Sequence, residues 1–272
     1  MEIAGTVRLA FRLLAMLALL LICVPLHYIW RLFAYGSPVP KYFLKLVGRI
    51  AGAKVVRVGT PLKRDVFYIS NHVSWLDIMA LAGASGTAFV AKAELADTPL
   101  VGWLCRLNRT VFIRRENKLG VAEQINALRE ALSDNWAVTV FPEGTTGDGH
   151  TLLPFKSSML QVLDPPPAGV LVQPVLIDYG EMSDFIAWVG EESGVTNFKK
   201  VLARKESFPV AIHYLEPFSP QDVRGRKAIA AEAHKRIKAA LAIARGDEGQ
   251  ENLPSVRYNR PVGEKPERLD RS

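Results

Sequence analysis

Hydrophobic and polar positions divide the chain into an apolar beginning, a long alternating body and a polar end. Leu13 to Trp30 contains no Asp, Glu, Lys or Arg. As a helix this stretch would extend about 27 Å, close to the roughly 30 Å of bilayer hydrocarbon. We therefore predict a retained membrane anchor, with a cleaved signal peptide and a buried core helix as the alternatives. Pro25 leaves open whether the helix spans the bilayer or re-enters it.

The segment Val39–Ala53 has a different pattern. Its basic residues Lys41, Lys45 and Arg49 recur every four positions and form one stripe of a helix. Its apolar residues fall mostly on the other side: Phe43, Leu44, Leu46, Val47 and Ile50. This pattern predicts an amphipathic helix lying on the bilayer, so residues 1–53 are expected to form a membrane-associated helix pair.

Short apolar runs rich in β-branched and aromatic residues follow, separated by helical stretches such as Val121 to Leu132. The runs predict strands at Val55–Val58, Val66–Ser70, Ala88–Ala91, Thr110–Arg114, Ala137–Phe141, Val170–Leu176, Ile186–Val189 and Val210–Tyr214. Strands that alternate with helices and are apolar on both faces predict an α/β fold. We expect a mixed, largely parallel sheet flanked by helices.

The last helix has a recognisable beginning and end. Ser219 can act as its N-cap, Pro220 fits the first turn, and Asp222 lies near the positive end of the helix dipole. The helix is predicted to end near Arg245, so the body covers residues 54–245. Residues 246–272 are rich in charged residues, Pro and Gly, which predicts a disordered tail.

Charge is distributed unevenly along the chain. The net charge is +7, and residues 1–60 alone hold eight Lys or Arg against one acid. The remainder is neutral overall, which favours an anionic membrane surface as a partner over nucleic acid. The larger number of basic residues after the apolar stretch places the body in the cytoplasm.

Composition and motifs exclude several kinds of site. Two cysteines, Cys23 and Cys105, cannot form a disulfide scaffold or a CxxC metal site. The sequence contains no HExxH, no phosphate-binding GxxxxGK[ST] loop and no GxSxG nucleophile elbow.

A histidine and an aspartate follow the predicted strand Val66–Ser70. His72 is at the turn, Asp77 is five residues on, and Asn71 or Ser74 can cap the helix that follows. Because His72 precedes the helix, its ring can fold back onto the carboxylate, which would fix the tautomer of the imidazole. The pair could then act as a general base on an alcohol. An N-capping Asn-His turn without chemistry is the alternative.

Three further segments carry candidate binding residues. The loop Phe141 to Thr146 ends a strand with free N–H and hydroxyl groups, and Glu143 could accept hydrogen bonds from substrate hydroxyls. Arg114 and Arg115 end another strand and offer guanidinium groups for phosphate. Lys156 is a further candidate cation. A plain strand-end turn and a solvated arginine pair are the alternative interpretations.

Together and in this order, the segments resemble the conserved blocks of the phospholipid/glycerol acyltransferase family. Asn71-His72 through Asp77 resembles the block N-H-x-x-x-x-D, and Phe112-Ile113-Arg114-Arg115 resembles the block F-I-x-R. The other two blocks resemble Phe141-Pro142-Glu143-Gly144-Thr145 and Val172-Gln173-Pro174-Val175. Bacterial 1-acylglycerol-3-phosphate acyltransferases are especially similar.

The resemblance implies acyl transfer from a thioester to a lysolipid hydroxyl at the inner (cytoplasmic) membrane, on its cytoplasmic face. His72 would be the general base and Asp77 its orienting partner. The substrate-binding residues would be Arg115, Glu143, Gly144, Thr145 and Lys156, and Val172 and Pro174 would belong to the acyl side. The donor would be acyl carrier protein or coenzyme A thioester, with no metal and no bound cofactor.

The most similar members imply 1-acylglycerol-3-phosphate as acceptor and phosphatidate as product. Two departures from their pattern bear on the acceptor: Thr146 stands where lysophosphatidate acylators often have Arg, and Arg114 replaces an acid. Lyso-ornithine lipid is therefore the alternative acceptor. A non-catalytic membrane tether and a lipid hydrolase are the competing classes, and neither is favoured, because His72 and Asp77 are both present and no serine has the context of a nucleophile.

Overall fold

In a computed structural model of the chain, the described residues are 3–34, 36–113, 126, 130 and 137–246. The predicted helix Val121–Leu132, Arg115 and residues 247–272 of the predicted tail lie outside this description, apart from residues 126 and 130. The helices are α1 Ile3–Phe33, α2 Val39–Ala51, α3 Leu76–Ser85, α4 Pro99–Leu107, α5 Ser183–Ile186, α6 Gly194–Ala203 and α7 Arg226–Arg245.

Within the described part of the chain, seven strands form one sheet in the order β1-β7-β6-β2-β5-β3-β4. They are β1 Ala53–Val58, β2 Val66–Ser70, β3 Ala88–Lys92, β4 Val111–Ile113, β5 Ala137–Val140, β6 Leu171–Asp178 and β7 Phe208–Tyr214. All neighbours pair in parallel except β6 and β7, which are antiparallel. The prediction of a mixed, largely parallel sheet flanked by helices is confirmed.

The central strands place the candidate site. β2 pairs in parallel with both β5 and β6, so their carboxyl ends meet at one edge of the sheet. Every residue of β2 and β5 is buried, as the continuous apolar runs predict for strands covered on both faces. One face of the sheet packs against α2, α3 and α6, and the other packs against α7.

One predicted strand and the predicted start of the last helix are wrong. Ile186–Val189 is not a strand, because the single-turn helix α5 ends at Ile186 and the Trp188 N–H bonds to the carbonyl of Val73, 3.0 Å away. The last helix begins at Arg226 after Gly225, not at Ser219. The Ser219 hydroxyl instead accepts from the Gln221 N–H within a separate turn. The end of the helix at Arg245 agrees with the prediction.

Helix α1 is continuous through Pro25, and it has one inward and one outward side. Gly5 and His27 are buried, and Leu9 and Met16 pack against the core, whereas many apolar side chains on the other side are exposed. Its length and composition are sufficient to cross a membrane. This helix is the candidate membrane anchor.

The first turns of α1 are attached to the body of the protein. Arg12 Nη1 donates to the carbonyls of Val201, Leu202 and Arg204 at 2.9–3.4 Å, and Arg8 Nε donates to that of Ala203 at 3.0 Å. These carbonyls belong to the last turn of α6 and the residue that follows it, where helix carbonyls lack intrahelical partners. The start of α1 therefore lies against α6.

Helix α2 packs closely against α3 rather than presenting its whole apolar side outward. Gly83 lets the two backbones meet, because a Cβ there would lie 2.7 Å from the Cα of Lys45. Leu44 and Val47 are buried, whereas Tyr42 and Leu46 remain exposed. The apolar side that the sequence assigns to the bilayer thus faces largely into the protein.

Candidate active site

His72 and Asp77 are joined at the carboxyl end of β2. His72 Nδ1 lies 2.7 Å from Asp77 Oδ2, as the spacing of the two residues predicts. Asp77 is in the first turn of α3 and fully buried, whereas the His72 side chain is 20% exposed. An ionised carboxylate can only accept hydrogen bonds, so Nδ1 carries the proton and Nε2 is the nitrogen of the ring that can accept one.

Other hydrogen bonds fix the Asp77 carboxylate in place. Oδ2 also accepts from the backbone N–H groups of Val73 and Ser74, at 2.6 and 2.9 Å. Oδ1 accepts from the Tyr179 hydroxyl at 2.6 Å. Both oxygens are therefore held, and the direction of the bond to His72 is set by the surrounding backbone and by Tyr179.

The imidazole plane is fixed by an aromatic stack. The rings of His72 and Phe141 lie 4.2 Å apart at 16°, and Phe141 stacks in turn near Phe89. With Nδ1 tied to Asp77, this stacking leaves the ring little freedom to rotate. A histidine held in this way can take a proton from an alcohol through Nε2 without reorganising.

The loop after β5 packs onto the same histidine. Gly144 has φ +71°, which favours glycine, and it turns the chain back towards β2. The Gly147 N–H donates to the carbonyl of His72 at 2.7 Å, and the Thr146 hydroxyl donates to that of Trp188. Gly144 is half-buried and Thr145 is exposed, so this loop forms part of the open surface near the site.

Glu143 lies buried beside the pair, with 3% of its surface exposed. Burial and the nearby negative charge of Asp77 raise the pKa of Glu143 to about 8, opposed by its interaction with the His72 backbone. Its Oε2 accepts no hydrogen bond from the described residues. The Glu143 carboxyl is therefore mostly neutral at pH 7 in the folded protein.

We expect the stability of the protein to depend on pH through Glu143. Its carboxyl ionises near pH 4.5 when unfolded but near pH 8 when folded, so the folded state binds the extra proton between these values. Stability from this group consequently falls as the pH rises through that window. Glu143→Gln should gain stability relative to wild type between pH 5 and 8 by at least about 1 kcal/mol. Melting temperatures across this range measure the difference, and a pH-independent difference would contradict the assignment.

The other described residues that the sequence predicts for the site lie at the surface or in the core of the sheet. Lys156 is exposed, with its backbone N–H bonded to the carbonyl of Pro142 at 2.8 Å. Val172 and Pro174 are buried within β6, in register with Phe67 and Ile69, so their role on the acyl side stays a prediction. Arg115 is outside the described residues.

One site residue, Tyr179, was missed by the sequence analysis, and two others, Asn71 and Ser74, were given the role of a helix cap. Tyr179 directly follows β6, and that strand-end position is the only signal that pointed to it. Asn71 does not cap α3: its side chain bonds both backbone groups of Ile177, at 2.8 and 2.9 Å. Ser74 does not cap α3 either. Asn71 thereby ties the end of β2 to β6.

Metal-binding groups are not gathered anywhere in the described part of the chain. Within those ranges, no three His, Cys, Asp or Glu side chains come together in a way that could hold a metal ion. At the strand ends a partly exposed histidine is supported by a buried carboxylate, an arrangement that is chemically able to activate a hydroxyl group.

Comparison with known proteins shows which family the chain belongs to. A family model described as Acyltransferase matches residues 50–178. The lyso-ornithine lipid O-acyltransferase of Brucella abortus is 30% identical over 257 residues, which cover 88% of this chain and 96% of that protein. The 1-acyl-sn-glycerol-3-phosphate acyltransferase of Neisseria gonorrhoeae is 36% identical over 110 residues, which cover 40% of this chain and 43% of that protein.

A solved structure shares the architecture. The crystal structure of the 1-acyl-sn-glycerophosphate acyltransferase PlsC from Thermotoga maritima has a TM-score of 0.62 at 22% identity, covering 90% of this chain and 100% of that one. The chain belongs to the acyltransferase family, and its fold is that of PlsC.

Proposed function

We propose that the protein transfers a fatty acyl group from an acyl thioester to the hydroxyl of a lysolipid, with His72 as the general base. The observation that carries this proposal is the 2.7 Å contact between His72 Nδ1 and a carboxylate whose two oxygens are both held. His72 Nε2 is the nitrogen of the ring that can accept a proton, and it belongs to a residue that is partly exposed at the strand ends.

The reaction follows from this geometry. The Nε2 atom of His72 takes the proton of the acceptor hydroxyl as that oxygen attacks the thioester carbonyl. The carbon–sulfur bond then breaks, and the leaving thiol takes up the proton from the imidazolium. Asp77 stabilises the imidazolium and keeps its orientation. No acyl-enzyme, metal or bound cofactor is needed in this scheme, and acyl carrier protein or coenzyme A would carry the thioester.

We propose lyso-ornithine lipid as the acceptor. The relative from Brucella abortus, named for this substrate, matches along 88% of the chain, whereas the one from Neisseria gonorrhoeae, named for 1-acylglycerol-3-phosphate, matches along 40%. Thr146 also lacks the positive charge that a phosphate monoester would favour.

The head group would approach through the Gly144–Thr145 surface, because Glu143 itself is buried. The binding role that the resemblance gives to Lys156 and Arg115 would be to the carboxylate of the acceptor, and Val172 and Pro174 would support the acyl side from within the sheet. The second candidate is 1-acylglycerol-3-phosphate, favoured by the Phe112-Ile113 block with its two following arginines.

We further propose that α1 lies in one leaflet and does not cross the bilayer. The contacts of Arg8 and Arg12 with α6 hold the start of α1 against the body, and the chain after α1 continues directly into the same body through α2. Both ends of α1 would then be on one side of the membrane. We assign that side to the cytoplasmic face of the inner membrane, because residues 1–60 hold eight basic residues against one acid and the cytoplasmic leaflet is anionic.

Thiol release from an acyl thioester tests the proposed reaction. We expect release to require a lysolipid, and to be faster with lyso-ornithine lipid than with 1-acylglycerol-3-phosphate. Release without any acceptor would indicate a hydrolase, and no release with either lipid would indicate a tether.

If Thr146→Arg improves use of the phosphate acceptor, the native pocket lacks a phosphate partner there. Faster turnover of the phosphate acceptor by the wild type would overturn the acceptor assignment.

Tyr179 should position Asp77 without touching the substrate. Tyr179→Phe removes one charge-assisted hydrogen bond, worth about 1.5–3 kcal/mol, so we expect kcat to fall roughly tenfold or more while the acceptor KM stays unchanged. In an Asp77→Asn background the same change should have little further effect, because Tyr179 acts through that carboxylate. Steady-state kinetics of the two single variants and the double variant measure this. Independent, multiplying losses would contradict the assignment.

A further inference from the structure

A cleft lined by cationic side chains lies beside the start of α1, on the face of the sheet that packs against α6. It measures about 600 Å³. Its basic residues, which we call the α6 basic cluster, are Arg8, Lys199, Lys200, Arg204 and Lys205. The ring of Phe185 also lines it. None of these residues belongs to the site at the strand ends.

Part of this positive charge is already matched inside the protein. Lys200 Nζ pairs with Glu192 at 3.0 Å, and Arg204 Nη2 lies 3.9 Å from the Glu206 carboxylate. Lys199 and Lys205 are exposed, and no acid of the described residues lies within salt-bridge distance of either. The cluster therefore keeps an excess of positive charge facing solvent.

The end of α6 does not neutralise this excess. The carbonyls at this helix end carry a partial negative charge that could offset nearby positive charge. They already accept hydrogen bonds from Arg8 and Arg12. The two exposed lysines thus remain available to a ligand from outside the chain. A cleft with free ammonium groups and an aromatic wall suits a phosphate group attached to an apolar molecule.

The position of the cluster indicates which molecule this is. On α1, Arg8 is flanked by Ile3, Val7 and Phe11, which are 86%, 62% and 72% exposed. An apolar surface that passes directly into a basic one is the arrangement found at the boundary between bilayer hydrocarbon and headgroups. We infer that the α6 basic cluster binds the headgroup phosphate of an anionic phospholipid. This inference rests on the one-leaflet arrangement of α1 proposed above.

Binding of the full-length protein to two kinds of vesicle tests the inference. One vesicle is phosphatidylcholine alone, and the other contains about one third phosphatidylglycerol. We expect Lys199→Gln with Lys205→Gln to weaken partitioning into the anionic vesicles by about 25-fold, since each lysine at such a surface contributes roughly fivefold. Partitioning into neutral vesicles should not change. High salt should remove the difference between the variant and the wild type.

Lys235→Gln with Lys238→Gln is the matched control. These lysines are also exposed, but they lie on α7 on the opposite face of the sheet, so their removal should leave both partition coefficients near the wild-type values. Equal losses from the two double variants would overturn the inference, because only net charge would then matter. Unchanged vesicle binding with a raised KM for acyl carrier protein thioester would overturn it in favour of an acidic carrier protein. Failure of the wild type to bind neutral vesicles would instead contradict the anchoring by α1.

Discussion

His72→Ala should abolish acyl transfer while the protein still folds and binds membrane. The substitution removes Nε2, the proposed proton acceptor, and general base catalysis contributes roughly 10²–10⁴-fold in rate. The neighbouring structure does not depend on the imidazole, because Asp77 keeps three other hydrogen-bond donors: Val73, Ser74 and Tyr179. Turnover is measured as thiol release at saturating donor and acceptor, with the melting temperature as a check on folding.

A second histidine provides a matched control for this prediction. His150 Nε2 lies 2.5 Å from Asp184 Oδ1, so it forms the same kind of pair, but both side chains are exposed and His150 Nδ1 also contacts Arg245 at 2.6 Å. His150→Ala should keep turnover within a few-fold of wild type. Turnover within a few-fold of wild type in His72→Ala as well would eliminate the base assignment.

Asp77→Asn should also reduce turnover, and it should lower stability as well. An amide offers one acceptor oxygen in place of two, so one of the donors around Asp77 would lose its partner inside the protein. The loss of turnover should be smaller than in His72→Ala if Asp77 only orients the ring. This comparison separates positioning of the imidazole from the proton transfer itself.

The sequence was sufficient to predict those parts of the fold that depend on local patterns of residues. Val66–Ser70 has the same bounds in the structure as predicted, because a short run rich in β-branched and aromatic residues favours a strand that is covered on both faces. The His72–Asp77 contact was also predictable, since both partners lie within one turn of the chain. Whether they meet depends mainly on the backbone conformation of the few residues between them.

The sequence was insufficient where distant segments decide the outcome. Tyr179 reaches Asp77 across 102 positions, and that contact depends on the parallel pairing of β2 with β6. Ile186–Val189 has residues typical of a strand, but the Trp188 N–H donates to the carbonyl of Val73 and does not pair within the sheet. Ser219 and Pro220 form a plausible helix start that the structure uses for a separate turn. In each case tertiary contacts override a local preference.

The two ends of α1 should be accessible from the same side of the membrane. A spanning helix would place Arg8 and Arg12 on the far side of the bilayer from α6 and break their bonds to four carbonyls. A helix lying in one leaflet keeps these bonds and still buries the exposed apolar side of α1. Each fully buried leucine on that side contributes roughly 1.5–3 kcal/mol to membrane binding.

Cysteine labelling distinguishes the two arrangements. Ile3→Cys and Phe33→Cys are made separately in a chain with Cys23→Ala and Cys105→Ala, because these residues end α1: a one-leaflet helix would place both at the headgroup level of one face, and a spanning helix would place them on opposite faces. In a bacterial inner membrane, a membrane-impermeant maleimide should label neither cysteine in spheroplasts and both in inverted vesicles. Labelling of Ile3→Cys alone from the outside would show that α1 spans the bilayer. In that case the contacts of Arg8 and Arg12 with α6 would not form in the membrane, and the lipid-binding role of the α6 basic cluster would lose its basis.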